Sequence, residues 1–170
     1  MKKEYVILVN KQNRKIGFME KIQAHREGRL HRAFSIFIFN TKGELLIQQR
    51  KKSKYHSGGL WSNTVCSHPR LHETYLQAVH RRLNEEMGFD CPVKRQFCFI
   101  YNTGFKNGLT ENEYDCVFVG TYDGQPNPDP KEIMAHKWIS MPSLKKEIAK
   151  HSNKYSVWLR LALPKVKKTF

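Results

Sequence analysis
The stretch Trp61-Ser62-Asn63-Thr64-Val65-Cys66-Ser67-His68-Pro69 sets a thiol two residues ahead of an imidazole and closes on a proline. Alternate side chains of extended backbone share a face, so this spacing lets one pocket hold both Cys66 and His68. A nucleophile or proton carrier beside a metal ligand is the chemistry such a pair suits. A buried free thiol next to an unrelated surface histidine is the plainer alternative, and the segment alone favours neither. Two further groups bear on the choice. Thr110-Glu111-Asn112-Glu113 places two carboxylates at i and i+2, again on one strand face. With imidazoles nearby they make a mixed nitrogen and oxygen donor set suited to Mn²⁺, Zn²⁺ or Mg²⁺. A carboxylate that touches both metal and substrate can also move protons. His25 and His31 flank the entry to an apolar strand, although each taken singly reads more readily as a surface residue than as a ligand. His56, His72, His80, His136 and His151 have no such company and are set aside.

The other three cysteines read as structural. Cys116 has the opposite strand parity from Glu113 and points to the core. Cys98 alternates with Phe97, Phe99 and Tyr101, and Cys91 precedes Pro92 in a loop. No CxxC spacing occurs, which argues against a zinc ribbon or a thioredoxin-type site. In a reducing compartment all four are expected to be free thiols.

The elements that must position these groups follow from periodicity and turn chemistry. Tyr5 to Val9 and Ile16 to Met19 read as short strands, and Ala33 to Asn40 with Glu44 to Gln49 as a hairpin across Thr41-Lys42-Gly43. Glu73 to Met87 is the clearest helix, with Leu76, Val79, Leu83 and Met87 on one stripe and Gly88 placed to end it. Arg95 to Thr103 and Asn112 to Tyr122 read as long strands joined by a turn containing Asn107-Gly108. Gln125 to Pro130 reads as a rigid loop. A strand at Ile133 to Ile139 precedes helices near Pro142 to Lys150 and Lys154 to Leu163. Many strands around a central helix, with helices at the end, predict a mixed α/β (α+β) sandwich rather than a doubly wound sheet.

At 170 residues the chain fits one domain, 1–170, with a real core. Its longest apolar run, Phe34 to Phe39 broken by Ser35, is far below a membrane span, and Met1 to Tyr5 lacks the apolar core of a signal peptide. The expectation is a cytoplasmic protein without a membrane partner. The net charge of +15 favours an anionic partner. The basic run Arg50-Lys51-Lys52-Ser53-Lys54 lies just ahead of the Cys66 segment, where it suits a phosphate-bearing substrate, whereas Lys165 to Lys168 reads as a solvated tail.

The helix carries a recognisable pattern. Glu73, seven residues, then Arg81-Arg82-Leu83-Asn84-Glu85-Glu86-Met87-Gly88-Phe89 resembles the Nudix box. In that family the Glu-rich helix binds a divalent cation that holds a diphosphate. At about 100° per residue Glu86 lies at the edge of the apolar stripe and Glu85 points well away, so Glu86 is the better candidate ligand. The box departs from the hydrolase form: Arg82 stands where a Glu belongs and Ser67 where the opening Gly belongs. Losing a carboxylate weakens the case for hydrolysis and leaves diphosphate binding intact.

Taken together, Leu30 to Phe34, Trp61 to Pro69, Thr110 to Glu113 and the altered box resemble type 1 isopentenyl-diphosphate Δ-isomerase, a Nudix-fold family of isoprenoid biosynthesis. The match runs from Tyr5 to about Leu163, with a Nudix core at about 31–163. The resemblance implies a divalent metal, Mn²⁺, Zn²⁺ or Mg²⁺, held by His25, His31, His68, Glu111 and Glu113. It implies a Mg²⁺ bridging the substrate diphosphate to Glu86, with Lys21, Arg50, Lys54 and Arg82 on the diphosphate and Ser67 close by. It implies Cys66 and Glu113 as proton carriers, Tyr101 relaying or polarising the Glu113 proton, and Trp158 over a tertiary carbocation. The partner is then a small diphosphate and the protein a monomer. A Nudix hydrolase of a nucleoside or other diphosphate is the alternative. A nucleic-acid-binding module is disfavoured, because the positive charge is spread out and no binding motif is recognised.

Overall fold
Phe34 to Phe39 reads almost continuously apolar because both faces of its strand are covered. In the computed structural model, which describes residues 3–168, strand β3 (His31–Phe39) turns Phe34, Ile36 and Ile38 to one core and Phe37 and Phe39 to another. The first core is closed by helix α2 (Tyr75–Met87) through Ala78, Val79, Leu83 and Met87. The second is closed by Leu144 of α3 (Met141–Lys150) and by Leu159 and Ala162 of α4 (Val157–Ala162). A mixed sheet between helical layers is the predicted α+β arrangement. Residues 1–2 and 169–170, included in the single-domain expectation, lie outside the described residues.

The sheet has nine strands among the described residues. β1 (Tyr5–Val9) and β2 (Lys15–Glu20) form the first hairpin, and β4 (Glu44–Arg50) follows β3. Two very short strands, β5 (Trp61–Ser62) and β6 (Val65–Ser67), carry the Cys66 segment. β7 (Val93–Gly104) and β8 (Thr110–Thr121) form the long hairpin, and β9 (Ile133–Ser140) pairs with β4. Three registers matter for chemistry. β3 and β8 run parallel with His31 opposite Glu113; β7 and β8 run antiparallel with Tyr101 opposite Glu113; β6 lies antiparallel to β3 with Cys66 opposite Ser35.

Helix α2 starts at Thr74, whose capping box with Gln77 satisfies the first free amides, and ends at Gly88 in the left-handed region at φ 70°. A side chain on Gly88 would collide with the carbonyl of Asn127. That contact belongs to the proline-rich loop 125–130, whose Asn127 and Asp129 amides donate to the carbonyls of Met87 and Glu86. The predicted stripe holds for Val79, Leu83 and Met87, but Leu76 is 51% exposed and Ala78 takes the inward place.

Several expectations are corrected. A six-residue helix, α1 (Lys21–Arg26), follows β2, started by the Glu20 carboxylate accepting from the amides of Ile22 and Gln23. It is too short to show periodicity in sequence. The final helix does not begin at Lys154: Ser152–Lys154 is a 3₁₀ turn, and Tyr155 is extended because it bridges Trp61 and the Ser156 amide bonds the Trp61 carbonyl. The tail is solvated only in part: Lys165, Lys167 and Lys168 are exposed, but Val166 packs into the second core and Lys167 bonds Gln96 through its amide. Nor are all four cysteines free: Cys98 and Cys116 face each other across β7 and β8 and are joined as a disulfide, leaving Cys66 and Cys91 as thiols. Alkylation of the denatured, unreduced chain is therefore expected to label two cysteines, and reduction to expose two more. Four labelled cysteines without reductant would refute the cross-link.

Candidate active site
His25 and His31 are held by the same device. Each Nδ1 lies against a backbone carbonyl, Lys21 at 2.6 Å and Arg29 at 2.7 Å, so Nδ1 must donate and Nε2 keeps its lone pair. Both Nε2 atoms, together with Oε2 of Glu111, are buried and have no hydrogen-bond partner. His68 Nε2 lies 2.9 Å from Glu113 Oε1, and His25 Nε2 lies 3.3 Å from Glu111 Oε2. The five donor atoms of His25, His31, His68, Glu111 and Glu113 lie within 4.8 Å of one another. Five clustered atoms of mixed nitrogen and oxygen type, three of them buried without partners, fit a divalent cation. Burial pushes His68 down to about 3 despite the pull of Glu113, which disfavours the charged imidazole, the form that binds no metal. Burial would raise Glu111, but the contacts with His25 and His56 win and hold it well below the usual carboxylate range.

Glu113 serves two directions at once. Its Oε1 faces His68 and, at 3.7 Å, His31, while its Oε2 accepts from the Tyr101 hydroxyl at 2.6 Å. Across a small cavity sits Cys66, which accepts from Arg50 Nη1 at 3.5 Å. Burial pushes the thiol up to about 12 against the opposing charge of Arg50, and Glu86 and Glu113 add to the rise. A protonated thiol is a weak nucleophile but can carry a proton. Trp158 lines the same cavity, is anchored through Nε1 to Ser62 Oγ at 2.8 Å, and has the Arg50 guanidinium 5.1 Å from its ring centre.

An adjoining groove of about 750 Å³ shares Arg50, Cys66, Ser67 and His68 with that cavity. The expected diphosphate contacts Lys21, Lys54 and Arg82 all line it. Here they are engaged with acids: Lys21 with Glu4, Lys54 with Glu132, and Arg82 with Glu85 and Glu86. Glu86 is buried on the protein side, bonded also by Gln48 Nε2 at 3.1 Å, while Glu85 is the more exposed carboxylate. Glu73 is held by Arg81 in a two-point pair at 2.6 and 2.8 Å.

Two site residues escape sequence reasoning. His56 is buried with Nε2 2.5 Å from Glu111 Oε1, yet it sits alone in a loop without periodicity. Asp115 extends the face of Glu111 and Glu113 by one more alternate position, a signal that parity alone reveals. It is fully buried, accepts from Ser35 Oγ at 2.8 Å, and is raised well above the usual range by burial and the nearby Glu113 charge.

The NUDIX domain family matches residues 29–159, and the chain belongs to that family. The fold agrees: a Deinococcus radiodurans crystal structure superposes with TM-score 0.80 at 22% identity over 97% of this chain and all of that one. Sequence comparison narrows the class. The chain is 48% identical over 96% of its length to isopentenyl-diphosphate Delta-isomerase 2 of Aromatoleum aromaticum, covering 86% of that protein. It is 49% identical over 91% of its length to isopentenyl-diphosphate Delta-isomerase of Burkholderia multivorans, covering 88%. Within the Nudix class, its family is the isopentenyl-diphosphate Δ-isomerases.

Metal should stabilise this protein before any substrate is present. Mn²⁺ or Zn²⁺ at a hundredfold excess over its dissociation constant is expected to add about 2.7 kcal/mol, read as a rise in thermal midpoint that chelation reverses. The variant His31→Ala should lose the response, and an unmutated protein indifferent to both ions would refute the metal reading.

Proposed function
We propose that the protein interconverts isopentenyl diphosphate and dimethylallyl diphosphate by adding a proton at C4 and removing one at C2, through a tertiary carbocation at C3. The observation that carries this reading is the pair of proton carriers, Cys66 and the Tyr101-bonded Glu113, facing one cavity that opens onto a basic groove. The names of the relatives support it. In the direction of the allylic product, a protonated Glu113 with Tyr101 gives its proton to C4 and a Cys66 thiolate beside Arg50 takes the C2 proton, ending as carboxylate and thiol; the reverse reaction starts from that thiol and carboxylate. Arg50, beside Sγ, is placed to steady Cys66 when it has lost its own proton. Trp158 presents an indole wall worth about 2 kcal/mol to a desolvated cation.

Lys21, Arg50, Lys54 and Arg82, with Ser67, bind the diphosphate in the groove, the acidic partners of Lys21, Lys54 and Arg82 giving way to it. His25, His31, His68, Glu111 and Glu113 would hold one divalent cation, Mn²⁺, Zn²⁺ or Mg²⁺, and Glu86 would hold a Mg²⁺ that accompanies the diphosphate. When bound, these cations supply charge that neutralises the diphosphate and fixes the Glu113 carboxylate. The reading takes the protein as a cytoplasmic monomer with no nucleic-acid or membrane partner. Among the described residues no helix is long and apolar enough to cross a membrane. The Cys98–Cys116 disulfide is the feature that sits least easily in a reducing compartment. Hydrolysis is disfavoured because Arg82 occupies a carboxylate position of the box and engages both Glu85 and Glu86.

The test is incubation with isopentenyl diphosphate and Mg²⁺ while following allylic product and free phosphate. Allylic product without phosphate is expected; phosphate alone, or no product, sinks the isomerase reading. Cys66→Ala and Glu113→Gln should each lower turnover by about 100- to 10,000-fold with little change in thermal midpoint. Tyr101→Phe, which removes one hydrogen bond to a charged group, should cost roughly ten- to a hundredfold. Near-normal turnover in Cys66→Ala would refute the role given to the thiol.

A further inference from the structure
The loop between β4 and β5 reaches the metal-ligand cluster through two side chains, Tyr55, edge-on to the His25 ring at 5.5 Å, and His56. His56 projects from this loop, and its Nε2 stops 2.5 Å from Oε1 of Glu111. The other oxygen of that carboxylate, Oε2, is the buried one without a hydrogen-bond partner, facing His25. His56 Nε2 lies against one member of the five-residue donor cluster, Glu111, and is not one of the five atoms that lie within 4.8 Å of one another.

The imidazole is gripped from several sides. It stacks on Phe105 at 4.6 Å with planes 9° apart and meets Tyr55 edge-on at 4.4 Å. Ser57 Oγ lies 3.3 Å from Nδ1 and can donate to it, which leaves the proton on Nε2, the nitrogen facing Glu111. The His56 carbonyl accepts from Arg50 Nη2 at 3.3 Å. The loop itself is tied down by Asn107 Nδ2 donating to the Tyr55 carbonyl at 2.7 Å. A ring packed this closely has little rotamer freedom, and it holds Nε2, itself buried without a hydrogen-bond partner, in ion-pair contact with a specified oxygen.

We propose that His56 is a positioning residue for the metal site. By occupying Oε1 it orients Glu111 so that Oε2 alone is presented to the cation. Groups that orient a ligand in this way change metal affinity without touching the metal. The inference rests on the reading of the His/Glu cluster as a metal site, and it joins that site mechanically to the loop bearing the basic run Arg50 to Lys54.

The test is Mn²⁺ titration of the full-length chain by calorimetry, without substrate. His56→Phe keeps a ring on Phe105 but has no N–H, and should weaken Mn²⁺ binding about 10- to 100-fold. His56→Gln, whose amide can donate to Oε1, should keep most of the affinity. His56→Leu lacks both ring and donor and guards against poor folding of the first variant; it should lose at least as much. In a Glu111→Gln background, His56→Phe should add little. Unchanged affinity in His56→Phe or His56→Leu, or a loss in His56→Gln equal to that in His56→Phe, overturns the proposal. An unmutated protein that binds no Mn²⁺ instead overturns the metal reading, a result separate from these.

Discussion
Parallel pairing of β3 with β8, from His31 opposite Glu113 to Phe39 opposite Thr121, is the constraint on which the site depends. It brings together residues more than eighty positions apart, and it leaves no latitude in register. A slip of one residue would turn Glu111, Glu113 and Asp115 to the opposite face of the sheet. The apolar residues of both strands resist that slip, because each is already matched to one of two cores. The same side chains that make the interior thus aim the carboxylates.

That arrangement buries three acids on alternate positions of one strand, an expense that a folded domain tolerates only with compensation. Compensation differs along the row. Glu111 stays ionised between two imidazoles; Glu113 is shared between histidines and a phenol; Asp115, facing only a serine hydroxyl, is pushed towards its neutral form. The row therefore begins beside the cavity with a carboxylate kept charged and ends inward with one pushed towards its neutral form.

Much of this was legible in the residues themselves. Alternation predicted the shared face of Glu111 and Glu113, and helical geometry separated buried Glu86 from exposed Glu85. The Cys66 and His68 spacing led to one cavity, as extended backbone requires. What stayed hidden has physical reasons. Helix α1 is held by a cap and by the packing of Ala24 rather than by any periodic face. The pairing of Cys98 with Cys116 depends on hairpin register, which the parity of each strand taken separately does not show. His56 acquires its partner through a loop whose path is set by contacts with Asn107 and Phe105, residues some fifty positions away.

The proline-rich loop at 125–130 bears no reactive group, yet its amides finish the last turn of α2 where Glu86 sits. Helix ends are commonly satisfied by a nearby lysine or arginine, and here no basic residue occupies that last turn. Backbone does the work, pressed so close that only glycine fits at position 88. Descent should treat this loop accordingly: a segment that looks like a spacer is under the same geometric discipline as the carboxylate it braces. Changes of length there would be felt at Glu86.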